Sequence, residues 1–313
     1  MKAAVINKYG SPDVFEIITI KKPIPKAHEV LIKVYASSIN PVDWKLRKGN
    51  WRFLLIAKFP VILGFDAAGE VTETGTKVTR FKPGDRVYSR LDRKFGGAYA
   101  EYAVGSENTF SLIPSNLTYT EAAALPLAGV SALQALKNKG KLSPGKKVLI
   151  NGASGGVGHF ALQIAKIMGG EVTAVSSSRH KKMMDELNPD HWIDYTKKDF
   201  LDQPVMYDVI FDVIGNKNFL MCRKKLNPGG VYVTSLPRPK ILFHRFISWF
   251  TTKKVKGFLM KSDSNDLDIL TSYAESGKLK IYIDKVYPLK NIAEAHMHSQ
   301  SGKAEGKIVL EIQ

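Results

Sequence analysis

The sequence predicts a two-domain α/β protein, and three observations carry that expectation. The chain has 313 residues, which at roughly 150 residues per domain suggests about two domains. Its first third reads as short strands, at 29–36, 67–74 and 86–89, separated by Gly/Pro turns such as Lys82-Pro-Gly-Asp85. Strands in such a row without long helices suggest a barrel or a sandwich. From about residue 119 helical patterns alternate with apolar runs at Lys147–Asn151, 172–175, 208–212 and 231–234. That alternation is the mark of βαβ units on a parallel sheet. The tail, from about 262, predicts helices over 266–276 and 291–299 and a closing strand over 307–312.

Apolar residues make up 44% and charged residues 24%, close to globular averages, so disordered, collagen-like and disulfide-scaffold classes drop out. Cys222 is the only cysteine. It closes no intramolecular disulfide and excludes a zinc site built on two or more thiolates. The expected compartment is reducing. The first residues form a strand-like run broken by Lys8, Tyr9 and Gly10, so no secretory h-region is read there, and no stretch approaches ~18 consecutive apolar residues. A cytoplasmic protein is the expectation.

The net charge is +17 and is unevenly spread. Residues 1–118 carry +7, residues 119–262 carry +12 and residues 263–313 carry −2. The basic middle third favours an anionic partner: a phosphorylated cofactor, nucleic acid or an anionic membrane surface.

The strongest local signal is Lys147-Val-Leu-Ile-Asn-Gly-Ala-Ser-Gly-Gly-Val-Gly158, a strand running into a glycine-rich turn and then a helix with an apolar face. Glycines let the backbone turn tightly and approach a pyrophosphate, whose charge then meets the free N–H groups at the helix start. Gly155, Gly156 and Gly158 are the candidate binding residues. Ala153 replaces the first glycine of G-x-G-x-x-G, so the βαβ setting carries much of the argument; the alternative is a structural turn.

The second strand discriminates between cofactors. An NAD site needs an acid about 20 residues on to hold the ribose hydroxyls. Here the segment is Ser176-Ser-Ser-Arg-His-Lys-Lys182, with no acid before Asp185. Ser177 can donate a hydrogen bond and Arg179 can grip a 2′-phosphate at two points. The composition favours NADPH; the plainer alternative is a solvated basic helix start.

Five ordered motifs resemble the medium-chain dehydrogenase/reductase superfamily: Ser38-Ile-Asn-Pro-Val-Asp-Trp-Lys-Leu-Arg-Lys-Gly49, Gly64-Phe-Asp-Ala-Ala-Gly-Glu-Val71, Gly84-Asp-Arg-Val87, Gly97-Ala-Tyr-Ala-Glu-Tyr102 and Gly152-Ala-Ser-Gly-Gly-Val-Gly158. The similarity is closest to its zinc-free quinone oxidoreductase branch. The resemblance implies a GroES-like β-barrel catalytic domain from 1–118, a Rossmann doubly wound parallel-sheet domain over 119–262, and a segment over 263–313 that completes the catalytic domain. It implies NADPH as donor, a quinone, enone or 2-alkenal as acceptor, and a homodimer. It also implies cofactor contacts from Ser131, Ser154, Val157 and Tyr195, each with a plain structural alternative: a helix-surface serine for Ser131 and a strand-end aromatic for Tyr195.

The zinc-dependent branch would put a cysteine near Pro41 and a histidine at Phe65, and this chain has neither. His296 and His298 are read as surface residues of the 291–299 helix. Without a Lewis acid, the barrier falls mainly by positioning a donor carbon against an electrophilic acceptor. By resemblance Asn40, Asp43 and Lys45 lie in the loop lining the cleft; Asn40 and Lys45 are the candidate catalytic residues. Lys45 alone of the three carries a cation able to steady an oxyanion. The alternative is a solvated lysine beside Arg47 and Lys48. Asp43 and Asp66 are read as structural acceptors.

Residues 237–261 hold seven basic residues, no acids, and Ile241, Leu242, Phe243, Phe246, Ile247, Trp249 and Phe250. An interfacial membrane helix would show that combination. The favoured reading is a helix and an edge strand at a dimer interface or substrate mouth. Two other functions fit the sequence: an NADPH-binding sensor or crystallin-like protein with little turnover, and a nonspecific nucleic-acid binder. The second lacks any recognition motif beyond charge.

Overall fold

The computed structural model describes residues 1–235 and 240–312. Pro237 and Arg238 of the basic segment lie outside the described residues. The chain divides into two compact units, one of Met1–Leu127, Ser262–Gly277 and Ile281–Gln313, the other of Ala128–Lys261 and Lys278–Lys280.

The first unit opens with β1 (Lys2–Ile6), β2 (Phe15–Thr19) and β3 (Glu29–Ile39), then α1 (Pro41–Arg47), β4 (Val61–Ile62), β5 (Asp66–Thr74), β6 (Arg86–Arg90), β7 (Tyr102–Ser106), β8 (Phe110–Leu112) and α2 (Tyr119–Ala124). β3 is the hub. It pairs antiparallel with β5 from Val30↔Thr74 to Ser38↔Asp66, and its N-terminal half pairs β7 from Glu29↔Ser106 to Lys33↔Tyr102. Val30, Leu31, Ile32 and Val34 are fully buried, so β-branched side chains fill a pleated, water-free surface there. Gly64, which opens the Gly-Phe-Asp motif, has φ +94°, and a Cβ on it would stand 2.4 Å from the ring of Tyr99. Only glycine lets that ring close the core.

The second unit carries α3 (Pro126–Leu133), whose first two residues belong to the first unit, then β9 (Lys147–Asn151), α4 (Gly158–Ile167), β10 (Glu171–Ser176), α5 (Lys181–Leu187), β11 (His191–Asp194), β12 (Tyr207–Asp212), α6 (Phe219–Cys222), β13 (Leu226–Thr234), α7 (Lys240–Trp249) and β14 (Lys254–Gly257). The sheet is parallel throughout, in the order β11-β10-β9-β12-β13-β14. That is the doubly wound order of a Rossmann domain, with its switch point between β9 and β12. Within the basic segment, residues 240–249 thus form a helix and residues 254–257 the edge strand.

The chain returns to the first unit through α8 (Ser264–Glu275), β15 (Ile283–Pro288), α9 (Ile292–Gln300) and β16 (Lys307–Glu311). β16 pairs antiparallel with β3 from Ile308↔Ile39 to Glu311↔Ala36 and, with β15 beyond it, extends the sheet on the side of β3 away from β5. The first segment of this unit runs past residue 118 to Leu127, because α2 lies against β3 and β5.

Two local readings need correction. The segment from Asn40 to Lys45, expected as a loop, is the start of α1: Asn40 is the N-cap, Pro41 sits at the first helical position, and the Asp43 carboxylate accepts the Asn40 N–H at 2.7 Å. His296, expected at the surface, is fully buried. Its ring meets Phe15 and Tyr99 edge-on, with centroids at 4.8 and 5.7 Å. α9 buries Ile292, Ala295 and His296 on one side, so the histidine follows the helical period inward. His298, two positions on, faces outward enough to pair with Asp284 at 3.1 Å.

Candidate active site

In the second unit β9 ends at Asn151 and the chain turns through Gly152 to Val157 into α4, which no side chain caps. First-turn N–H groups have no partner within a helix, so this end favours an anion. Gly158 is required by packing: a Cβ on it would stand 1.9 Å from the Gly152 carbonyl. At Gly155 a Cβ would meet nothing closer than the Gly152 carbonyl, at 3.6 Å. The protein's own packing therefore does not demand glycine at 155, whereas a pyrophosphate against the backbone would. Ser154, Gly156 and Val157 complete the turn. The residues present fit a dinucleotide phosphate.

β10 ends at Ser176, and Ser177 and Arg179 follow at once. Ser177 is 6% exposed and its hydroxyl has no hydrogen-bond partner among the described residues, while Arg179 is exposed and donates its Nε to Nε2 of His180 at 2.9 Å. The Tyr195 N–H donates to the Ser176 carbonyl at 3.1 Å, which sets this exposed tyrosine beside the end of β10. Thus Ser177, Arg179 and Tyr195 follow the ends of two neighbouring strands, β10 and β11. At the end of β11 one carboxylate oxygen of Asp194, Oδ1, accepts from the N–H and Oγ1 of Thr196 at 3.0 and 2.7 Å. Those bonds hold its carboxyl below the usual carboxylate range.

At the switch point lies a polar cluster that sequence reasoning missed. Asn151 donates to both Asp212 and Asn216 at 2.8 Å, and Asp212 also accepts from the Gly215 N–H at 2.8 Å and the Tyr232 hydroxyl at 2.7 Å. The signal was available: Asn151 and Asp212 each follow directly on an apolar run, Val148–Ile150 and Val209–Phe211, of a central strand. Ser131 is 4% exposed, so it is a buried serine of α3 and not the helix-surface residue of its plainer reading.

In the first unit, Asn40 is 2% exposed. Its amide donates to Asp66 at 2.8 Å and its carbonyl oxygen accepts the Lys307 ammonium at 2.7 Å. Both ends of the side chain are thereby engaged by other side chains of the first unit. Asp66 also accepts from the Ser38 hydroxyl at 2.7 Å and the Leu127 N–H at 2.9 Å. Burial pushes the Lys307 ammonium down from its ordinary range, and Asp66 and Asp43 oppose that shift.

Asp43 is fully buried, and desolvation raises its carboxyl to about 7 against the pull of the Asn40 N–H. Beside it stand Tyr99 and Arg47, also fully buried, the guanidinium lowered to about 10 by desolvation. Lys45 lies one position off this inward face. It is half-buried, with its ammonium 5.4 Å from the centroid of the Trp44 ring, and Lys48 stands over the same ring at 5.3 Å. The helix thus turns Asp43 and Arg47 inward and leaves Lys45 at the rim.

Residues 26–115 match the alcohol dehydrogenase GroES-like domain and residues 187–310 match the zinc-binding dehydrogenase family. The chain is 36% identical to a chloroplast envelope quinone oxidoreductase homolog of Arabidopsis thaliana, over 99% of this chain and 98% of that protein. It is 34% identical to an NADPH-dependent alkenal/one oxidoreductase of the same plant, over 99% of this chain and 79% of that one. The structure of the quinone oxidoreductase from Coxiella burnetii superposes with a TM-score of 0.93 at 30% identity, covering 100% of this chain and 99% of that one. A family zinc ion does not fit the residues present. Cys222 is buried, its thiol pushed up to about 12, Phe65 replaces the histidine, and no three metal-ligating side chains among the described residues could share an ion. With its barrel unit, its doubly wound nucleotide unit and relatives aligned end to end, the chain belongs to the quinone oxidoreductase family of the medium-chain dehydrogenase/reductase superfamily.

Proposed function

We propose that this oxidoreductase transfers hydride from NADPH to a quinone, an enone or a 2-alkenal without a catalytic zinc. The observation that carries the reading is the pairing of an open Gly155 cradle at the start of α4 with Ser177 and Arg179 at the end of β10, where an NAD site would need a carboxylate. The relative named an NADPH-dependent alkenal/one oxidoreductase supports the donor and the acceptor class.

When bound, the dihydronicotinamide supplies the hydride. Ser154, Gly155, Gly156, Val157 and Gly158 hold the pyrophosphate against the backbone, and Ser177, Arg179 and Tyr195 hold the 2′-phosphate, with Ser131 on the nicotinamide side. Lys45 places positive charge where the acceptor oxygen gains electron density, and donors so aimed are often worth about 10²-fold in rate. Asn40, locked by Asp66 and Lys307, fixes the start of α1 and so the position of Lys45. Two electrons reach the acceptor with the hydride, and a proton from solvent completes the hydroquinone or the saturated carbonyl.

Steady-state oxidation of NADPH with a soluble quinone and a simple enone, before and after prolonged chelation, tests the reading. Turnover of at least one acceptor, unchanged by chelation and with NADPH preferred, is the expected result. Binding of NADPH without turnover of either acceptor would leave a sensor-like protein instead, and loss of activity with a stoichiometric zinc would overturn metal independence.

A further inference from the structure

α7 rests on the second unit through Ile241 and Ile247, half-buried against the core that includes Phe219, Tyr232 and Val255. Ser248 is buried, and the Lys254 ammonium closes the helix end by donating to the Ser248 and Thr251 carbonyls at 3.1 and 2.9 Å. The opposite face is uncovered. Leu242, Phe243, Phe246, Trp249 and Phe250 are 69, 59, 57, 81 and 76% exposed, and steps of one, three, three and one residues set them on one stripe. A stripe of large apolar groups this exposed marks an interaction surface.

The chain segment that carries the helix bears charge of one sign. From Val213 to Ser262 the sequence has no Asp or Glu and eleven Lys or Arg. Arg245 is exposed within the stripe and Lys256 on the adjoining strand β14. The short segment after α6 lies alongside: the Lys253 ammonium donates to the Arg223 carbonyl at 2.8 Å, and Phe219 and His244 have ring centroids 6.4 Å apart. Together with α6 it adds exposed Met221, Arg223 and Lys224.

We propose that α7 is an interfacial anchor that docks this protein on an anionic lipid bilayer, its apolar stripe at the acyl boundary and its cations on the headgroups. The charge decides among the occupants. A second copy would bring the same acid-free cationic surface against itself, and like charges across a symmetric interface oppose association. Nucleic acid matches the charge but gives the aliphatic and aromatic stripe no apolar phase. An anionic bilayer satisfies both features. This inference is independent of the hydride-transfer reading.

Cosedimentation of the full chain with vesicles of phosphatidylcholine, alone or mixed with phosphatidylserine, tests it. The wild type should bind the mixed vesicles, bind the neutral ones far more weakly, and lose affinity as salt rises. Trp249→Ser with Phe250→Ser should weaken binding by roughly tenfold or more, with thermal melting unchanged because both residues are exposed. Arg245→Glu with Lys256→Glu, a second variant of surface residues, should weaken binding to the mixed vesicles alone. Undiminished binding by both variants would overturn the proposal. So would loss of binding on changing the exposed barrel-unit pair, Phe53→Ser with Leu54→Ser, while the α7 variants bind normally. A wild-type dimer that the α7 variant dissociates in lipid-free sedimentation would assign the face to a second copy, and equal loss of single-stranded RNA affinity would assign it to nucleic acid; either result overturns the proposal.

Discussion

The ammonium of Lys307 donates to the side-chain oxygen of Asn40 across 2.7 Å, tying the last strand of the chain to the first turn of α1. Asp66 completes the contact, accepting the Asn40 amide at 2.8 Å and lying 3.5 Å from Lys307. Removing one partner of such a buried pair leaves an uncompensated charge, at a cost of roughly 3–5 kcal/mol. Lys307→Met should therefore destabilise the protein by about that amount in denaturant unfolding, and adding Asp66→Asn should restore part of the loss. A double variant no more stable than Lys307→Met alone would show that the pair does not act as a unit.

Asp43 gives stability a pH dependence of defined sign. Burial pushes its carboxyl up to about 7 in the folded protein, against 3.8 for the free group, so between those values the native state holds a proton that the unfolded chain has released. Stability must then fall as pH rises from about 4 to about 7. Asp43→Asn, which cannot titrate, should match the wild type near pH 4 and exceed it above pH 7 by roughly 1–3 kcal/mol. Melting curves across this range check it, and parallel profiles for the two proteins would remove the assignment.

Gly155 and Gly158 separate cofactor contact from packing. A methyl at 158 would collide with the Gly152 carbonyl, whereas one at 155 finds its nearest neighbour at 3.6 Å. Gly158→Ala should lower both melting temperature and NADPH affinity. Gly155→Ala should melt within a degree or so of the wild type yet bind NADPH about tenfold less tightly, because the methyl enters space meant for phosphate. Calorimetry and cofactor titration together distinguish the two.

Arg179→Ala should raise the KM for NADPH by about tenfold or more, the worth of a hydrogen bond to a charged group, and leave that for NADH nearly unchanged. Equal effects on both would place Arg179 outside the 2′-phosphate site.

Lys45→Met keeps the apolar stem and removes the cation. Turnover of a simple enone at saturating NADPH should fall by roughly tenfold or more, and turnover of a quinone by less, since a quinone accepts hydride readily. Unchanged enone turnover in a folded variant would make Lys45 a rim residue only.

Periodicity and turn chemistry made the architecture legible before any coordinates. β9, the glycine turn and α4 stand where the 147–168 pattern put them, because a central parallel strand is apolar along its length and an amphipathic helix repeats every 3.6 residues. The elements not read from the sequence include the short strands β2, β4, β7 and β8, whose few residues do not sustain a period. α1 was missed for a related reason: seven residues are too few to show a face, although Asn40, Pro41 and Asp43 spell a helix start.

The two-unit α/β architecture and the strand, glycine turn and helix over 147–168 were legible in the amino-acid pattern alone, since they follow from local periodicity and residue type. Only the tertiary structure decided that Asn40 is locked to Asp66 and Lys307, that His296 is buried, and that α7 turns five apolar side chains outward. Those facts depend on partners up to 267 positions apart in the chain and on which face of a short helix meets the core. No local window contains that information, because burial is settled by what packs against a residue and not by the residue alone.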